Sequence, residues 1–413
     1  MKKRGLILLV VPFLAIAFFV APAHAVDSIV IGHPAALSGS YAKAGEQAVG
    51  GVQAAVDWVN SVYGGVNVGG KKVPLVYKYY DCESKKESVT SLLERLITTD
   101  KVTVTFAPYS SGLTLAGAPV AEKYGIVYMD HGGASDKIFT QGFEYVVQTI
   151  GPGSSYHVGT LEMVKKIAPD VKRVALAYED SEFARSVMDG AEAKARELGF
   201  EVVFKRTYPM KVEDLTPLLS DLKASDPEIV IGGGHFQDGQ LFNKQMADLD
   251  INVKLLSLIA AATLPAFGEA LGDLAEGVMG PSHWEYGVTF SEEGAKAAGM
   301  TWIGPSQDEY VALFKKAVGK DMLPDYHAAE ASAQVLALVL AVEKSDSVDS
   351  DVLRKTLGDL TFMSFYGGWD IDDTGKQIGH SMVNVQWQKG ERKIIWPEDA
   401  QTAKPVFPKP DFE

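Results

Sequence analysis

The chain has 413 residues, of which 39 are basic and 53 acidic, for a formal charge of -14, and 46% of them are apolar. So acidic a protein repels phosphate backbones and anionic lipid, which argues against nucleic-acid binding as a function class. Cys82 is the single cysteine, so no internal disulfide can form, and the length exceeds what one core serves, so two lobes are expected.

Met1-Lys2-Lys3-Arg4 is a basic start, Leu6 to Val20 is almost wholly apolar, and Ala23-His24-Ala25 fits a small-x-small cleavage rule. This pattern predicts a secretory signal peptide cut after Ala25. The apolar run is short for a membrane span and Pro12 interrupts it. Cleavage removes three basic residues and moves the formal charge to -17, with 36 basic against 53 acidic residues left. With no cysteine at the cut no lipid anchor is expected, and the mature protein is expected free in the periplasm.

Ser28 to Gly32 reads as a buried parallel strand, followed by the hydroxyl-bearing loop Leu37-Ser38-Gly39-Ser40-Tyr41. Ala48, Val49, Val52, Ala55, Val56 and Val59 then mark one stripe of a helix. A strand, a polar loop and a covering helix form the corner of an open α/β sheet at which ligands bind. Gly32-His33-Pro34-Ala35-Ala36-Leu37-Ser38-Gly39, with Tyr41-Ala42 and Gly45, resembles the opening of the type I periplasmic solute-binding proteins. Within these it is most similar to the branched-chain amino acid binding subfamily of ATP-driven importers. The resemblance implies an α/β fold with two doubly wound parallel-sheet lobes on a three-strand hinge. It also implies a solute held between the lobes and an ABC permease as partner.

Val73 to Tyr80 reads as a strand near a sheet edge, and Val89, Leu92, Leu93, Leu96 and Ile97 as one helix face. Cys82 between them is expected to be inert, its thiol pKa raised by Asp81 and Glu83. The strand ending at Phe106 leads to Ala107-Pro108-Tyr109-Ser110-Ser111-Gly112, which is similar to the family's paired-serine segment. Ser110 and Ser111 at a helix N-terminus form a cradle for a carboxylate, or else simply cap the helix. The loop Asp130 to Asp136 follows the next strand. The family uses a carbonyl and a hydroxyl here on the ligand's amino group, which maps to Gly133 and Ser135, with Ala134 between. His131 is an addition that either meets ligand or bonds a backbone group.

Breaker-rich Gly151 to Ser155 is the expected first crossover. Strands at 174–178, 202–204, 229–231 and 253–258 alternate with helices, which predicts a second parallel sheet. From Pro281 the chain is expected to return to the first lobe, where helices at 308–318 and 328–342 complete it. A hairpin-like region at 362–373, turning at Asp373-Thr374-Gly375, then leads to a strand at 382–387 in the second lobe. The divisions are residues 1–25 for the signal peptide, 26–149 with 281–377 for lobe 1, 150–280 with 378–396 for lobe 2, and 397–413 for a proline-rich tail.

Enzyme signatures are missing, and no cofactor or metal is expected. There is no GxSxG, and Gly232-Gly233-Gly234 lacks the Lys-Ser/Thr of a phosphate loop. His327 and Glu330 share a helix face without a second pair, so a solvated or capping role is expected, and the eight histidines read as scattered. Family members usually grip an ammonium from lobe 2 with an aromatic hydroxyl, a second aromatic and an acid. The matching positions are Phe183, His235-Phe236 and Leu258 to Ala262, with no carboxylate unless Glu269 or Glu285 substitutes. An unpaired ammonium in a closed cleft is costly. The pocket therefore suits an apolar carboxylate, with Tyr41, Phe183, Phe236 and Tyr286 around its body, although each also fits core packing. The expectation is a monomeric periplasmic receptor of an ABC importer. A branched-chain or aromatic amino acid receptor, a sensor domain and an enzyme on a related scaffold are the alternatives.

Overall fold

The computed structural model describes residues 26–288 and 290–412, so the signal peptide and its cleavage site lie outside the described residues. Strands β1 (Ile29–Ala35), β2 (Leu75–Asp81), β3 (Val104–Phe106), β4 (Tyr128–Asp130) and β5 (Val146–Gln148) form one parallel sheet in the order β2-β1-β3-β4-β5. The half-exposed alternation of residues 75–81 fits its place at the edge. A second sheet holds β6 (Arg173–Glu179), β7 (Glu201–Tyr208), β8 (Ile229–Gly233), β9 (Leu255–Leu258), β10 (Met279–Ser282), β11 (Val383–Gln388) and β12 (Glu391–Trp396). Its order is β12-β11-β10-β9-β8-β6-β7, parallel except for the last hairpin, β11 and β12, which runs antiparallel to β10 and within itself. The chain therefore passes between the sheets three times: after β5, after β10 and before β11.

Helix α1 (Ala42–Trp58) buries Ala48, Val52, Ala55 and Val56, with Val59 in the turn beyond, as the stripe predicts. Its partner is Tyr326–Ser345, a helix with 16 of its 20 residues buried. Buried nearly all round, that helix has no amphipathic signal to read. The two approach closely enough that a Cβ at Gly51 would sit 2.1 Å from the Ala328 carbonyl oxygen. Gly51→Ala is expected to lower stability by about 1–3 kcal/mol, read as a shift in urea midpoint at constant slope.

Three features differ from expectation. The 362–373 hairpin turns at Phe365-Tyr366, between strands Phe362–Ser364 and Gly367–Trp369, and joins Thr301–Trp302 in a small third sheet. Asp373-Thr374-Gly375 belongs instead to a loop in which Asp372 accepts the amide protons of Thr374 and Lys376. β12 goes unread because Glu391, Arg392 and Lys393 mask its apolar end, Ile394 and Ile395. The tail forms no helix and lies against the second sheet, where the Lys409 amide donates to the Lys254 carbonyl (2.8 Å). Cys82 is wholly buried, and burial first, then Asp81, pushes its thiol up to about 11.

Candidate functional site

A cavity of about 310 Å³ opens between the sheets at the carboxyl ends of their strands. From one side Tyr41, Lys86 and Ser110 line it, and from the other Ser181, Phe183 and His235. Each of these marks a helix start. Tyr41 precedes α1, Lys86 begins α2 (Lys86–Thr98), and Ser110 is the N-cap of α3 (Ser111–Tyr124). Ser181 caps α4 (Glu182–Glu197), and His235 precedes α5 (Phe236–Asp248). Five helix N-termini thus converge on one space, and each carries partial positive charge. The Ser110 side chain makes no capping bond, and its hydroxyl meets that of Tyr41 at the cavity. The lobes are closed over it: Tyr41 and His235 rings lie 5.0 Å apart, and Lys137 pairs with Glu182 at 2.9 Å.

Behind the cavity the rings form a closed circuit. Tyr109 meets His327 (4.9 Å), which stacks on Tyr326 (3.9 Å), which meets His283 (5.4 Å). His283 meets Tyr156 (5.0 Å), Tyr156 meets Phe183 (5.4 Å), Phe183 meets His235 (5.5 Å), and His235 returns to Tyr109 (5.9 Å). Edge-to-face and tilted ring pairs at these separations are favourable and stiff.

Of the eleven residues singled out from sequence, Tyr41, Ser110, Phe183 and His235 meet at the cavity. The others have structural partners. Ser111 accepts the Ser135 amide through Oγ (3.1 Å), and Ser135 Oγ accepts the Lys137 amide (3.4 Å), so both hydroxyls hold their loops together. The Gly133 carbonyl accepts from Gln148 Nε2 (3.0 Å) and the Ala134 carbonyl from the Gly153 amide (2.6 Å). His131 is fully buried against His33, its Nδ1 3.8 Å from Glu330. Phe236 packs on the core of the second lobe. Tyr286 is 54% exposed and donates to Asp308 (2.8 Å), well outside the cleft.

Two further expectations are corrected. Glu269 is exposed, and Glu285 pairs with Arg392 (3.1 Å) beside an outer groove, so neither lines the cavity between the lobes. His327 and Glu330 are not solvated: both are buried, and with His33, His131, His283 and His380 they form one cluster of rings and acids. Burial, reinforced by Asp325 and Asp130, holds the Glu330 carboxyl well above its usual range, and neither of its oxygens has a hydrogen-bond partner. Burial also keeps His131 and His283 well below the usual imidazole value. Asp130 is pushed up to about 7 by burial, against bonds from Gly133, Thr114 and Gly132.

Sequence reasoning missed Glu179, the last residue of β6. Its Oε2 lies 2.5 Å from His235 Nδ1, and Asp238 accepts the His235 amide (2.8 Å) and the Tyr208 hydroxyl (2.6 Å). A signal was present, since an acid ending a parallel strand sits where sheets place ligands. Glu179, His235 and Asp238 also group closely enough to suggest a cation site. His235 Nδ1 and both Asp238 oxygens, however, are already engaged by protein groups, which makes the trio a hydrogen-bonded relay.

A model described as "Periplasmic binding protein" matches residues 28–392. The chain belongs to the periplasmic binding protein family. This is a family of transport-associated binding proteins rather than enzymes. Among relatives, the Leu/Ile/Val-binding protein homolog 8 of Brucella abortus is 28% identical over 90% of this chain and 91% of its own length. Among solved structures, the branched-chain amino acid transporter substrate binding protein LivJ of Streptococcus pneumoniae, with isoleucine, has a TM-score of 0.73 at 21% identity, covering 92% of this chain and 100% of that one. A solute binding protein from R. palustris in complex with benzoate has a TM-score of 0.72 at 18% identity, covering 92% and 97%. These likenesses establish the two-lobed fold. No described helix of this family member is long and apolar enough to cross a membrane.

Proposed function

We propose that this protein is the solute receptor of an ABC importer and captures a small carboxylate with an aromatic or branched apolar body. Ser110 and the α3 N-terminus meet the carboxylate, while Tyr41 and Phe183 hold the body. The lobes are residues 26–149 with 281–377 and 150–280 with 378–396. The closed form, a monomer, docks on an inner-membrane permease after export and cleavage after Ala25. The observation that carries the reading is the convergence of five helix N-termini on a cavity walled by aromatic rings. The carbonyls of Gly133 and Ala134 are engaged within the protein, which speaks against an ammonium clamp there. The isoleucine and benzoate bound by structural neighbours bracket this solute class. A hydrophobic amino acid receptor is the second reading, favoured by the isoleucine bound by the LivJ neighbour.

A thermal-shift panel on ligand-stripped protein separates the two. Leucine, isoleucine, valine and phenylalanine are compared with their 2-oxo acids and with benzoates. A ligand at one hundred times its Kd adds about 2.7 kcal/mol and raises Tm by several degrees. The expected result is stabilisation by acids lacking an amino group; stabilisation by the amino acids alone selects the second reading.

A further inference from the structure

In a lobe that closes on its solute, the groups that arrive last decide which charges are tolerated. Among the cavity's lining residues His235 is the one imidazole, and it comes from the closing lobe. Its Nδ1 is held by Glu179 at 2.5 Å, and its amide by Asp238 at 2.8 Å. Asp238 is itself anchored by Tyr208 at 2.6 Å. The ring therefore has one orientation, and its Nε2, buried, has no protein partner. Facing it are Tyr41 and Tyr109, with Ser110 at the same cavity.

We propose that His235, oriented by Glu179, binds as an imidazolium and donates from Nε2 to the solute's carboxylate, so that the pair selects an anion over a zwitterion and couples capture to a proton. This rests on the receptor reading above and names its charge selectivity. With Nδ1–H engaged by Glu179, Nε2 either carries a proton or offers a lone pair, and only the first attracts a carboxylate. Other charged groups at the cavity are Lys86, Asp180, Glu182 and Arg185, with Arg185 paired to Asp180. Burial alone would lower the His235 pKa, but Glu179, with Asp238 adding to it, reverses the sign and raises it. Glu179 is thus a positioning residue.

The sign follows directly. Between the Asp238 pKa, pushed up to about 6 by burial and then Glu179, and the His235 pKa the imidazolium is present and binding is independent of pH. Above the His235 pKa each bound anion must bring a proton, so affinity falls about tenfold per pH unit. The probes are benzoate and 2-oxo-4-methylpentanoate, with leucine and phenylalanine as zwitterions, titrated from pH 5.5 to 8.5. Calorimetry in buffers of differing ionisation heat counts the protons. The expected result is a plateau, then a fall, with uptake approaching one proton. Glu179→Gln is expected to bind the acids at least tenfold more weakly at pH 7 and to recover as pH is lowered, while His235→Gln binds weakly with no pH dependence. EDTA leaves all of this unchanged. A flat profile, an unshifted Glu179→Gln profile, or affinity lost on EDTA treatment overturns the inference but leaves the receptor. Preference for the amino acids overturns the inference and selects the second reading. Binding of no probe overturns both.

Discussion

Asp130→Asn is expected to stabilise the protein by roughly 2–4 kcal/mol near pH 8.5 and to change nothing near pH 4. Asp130 Oδ1 accepts from the amides of Gly133 (2.7 Å) and Gly132 (3.1 Å) and from the Thr114 hydroxyl (3.1 Å), while Oδ2 has no partner. An asparagine keeps all three bonds and places its NH₂ at the unpartnered position. Burial first, against those three bonds, raises the carboxyl from the ordinary 3.8 to about 7. The folded state thus holds a proton that the unfolded chain gives up at lower pH. The stability this contributes is full below the unfolded pKa and is lost as pH rises through about 7. The asparagine never ionises, so the variant gains only where the wild type carries a buried anion. Urea unfolding at the two pH values reads the difference directly. An equal effect at both would mean that packing, not ionisation, governs the site.

The second large effect lies at the other end of the same balance. Glu285→Ala is expected to cost about 3–5 kcal/mol, the usual result of stranding one member of a buried ion pair. Glu285 Oε1 sits 3.1 Å from an Arg392 nitrogen, with side chains only 8% and 14% exposed. Arg392 also donates to the Thr263 carbonyl, so it cannot swing to water without breaking a second bond. Glu285→Gln, which retains an acceptor, is expected to lose clearly less. Both are measured as denaturant midpoints, and similar losses in the two variants would remove the ion pair from the explanation.

Local pattern made half of this molecule legible. The stripe Ala48, Val52, Ala55, Val56, Val59 and the β-branched runs of the parallel strands are period signals, and each becomes an element where the period puts it. Tyr41 and Ser110 were legible because loops at the carboxyl ends of such strands are where open sheets place sites, and Phe183 and His235 through the resemblance of their segments to the family; all four line the one cavity. The histidine and acid cluster was not. His33, His131 and His283 lie on elements separate from the helix that carries His327 and Glu330, and nothing in the spacing of that pair tells a buried helix face from a wet one. Tyr286 failed for the converse reason, since an aromatic near a crossover looks the same whether it turns in or out. The serines at 111 and 135 show that hydroxyl pairs which look like a ligand cradle also serve to tie two loops.

The three passages of chain between the sheets set the order in which the protein can mature. Chain synthesised N-terminus first presents β1 to β5 well before residues 326–345 arrive to cover α1. It likewise delivers β6 to β10 before residues 383–396 arrive to close the edge beside β10. Each lobe therefore waits, with apolar surface and an unpaired strand open to water, until nearly all of the chain has been released. Such species aggregate readily. Neither lobe is a unit that can be shortened or expressed from one continuous segment, and the two cores are completed together once the last residues are available.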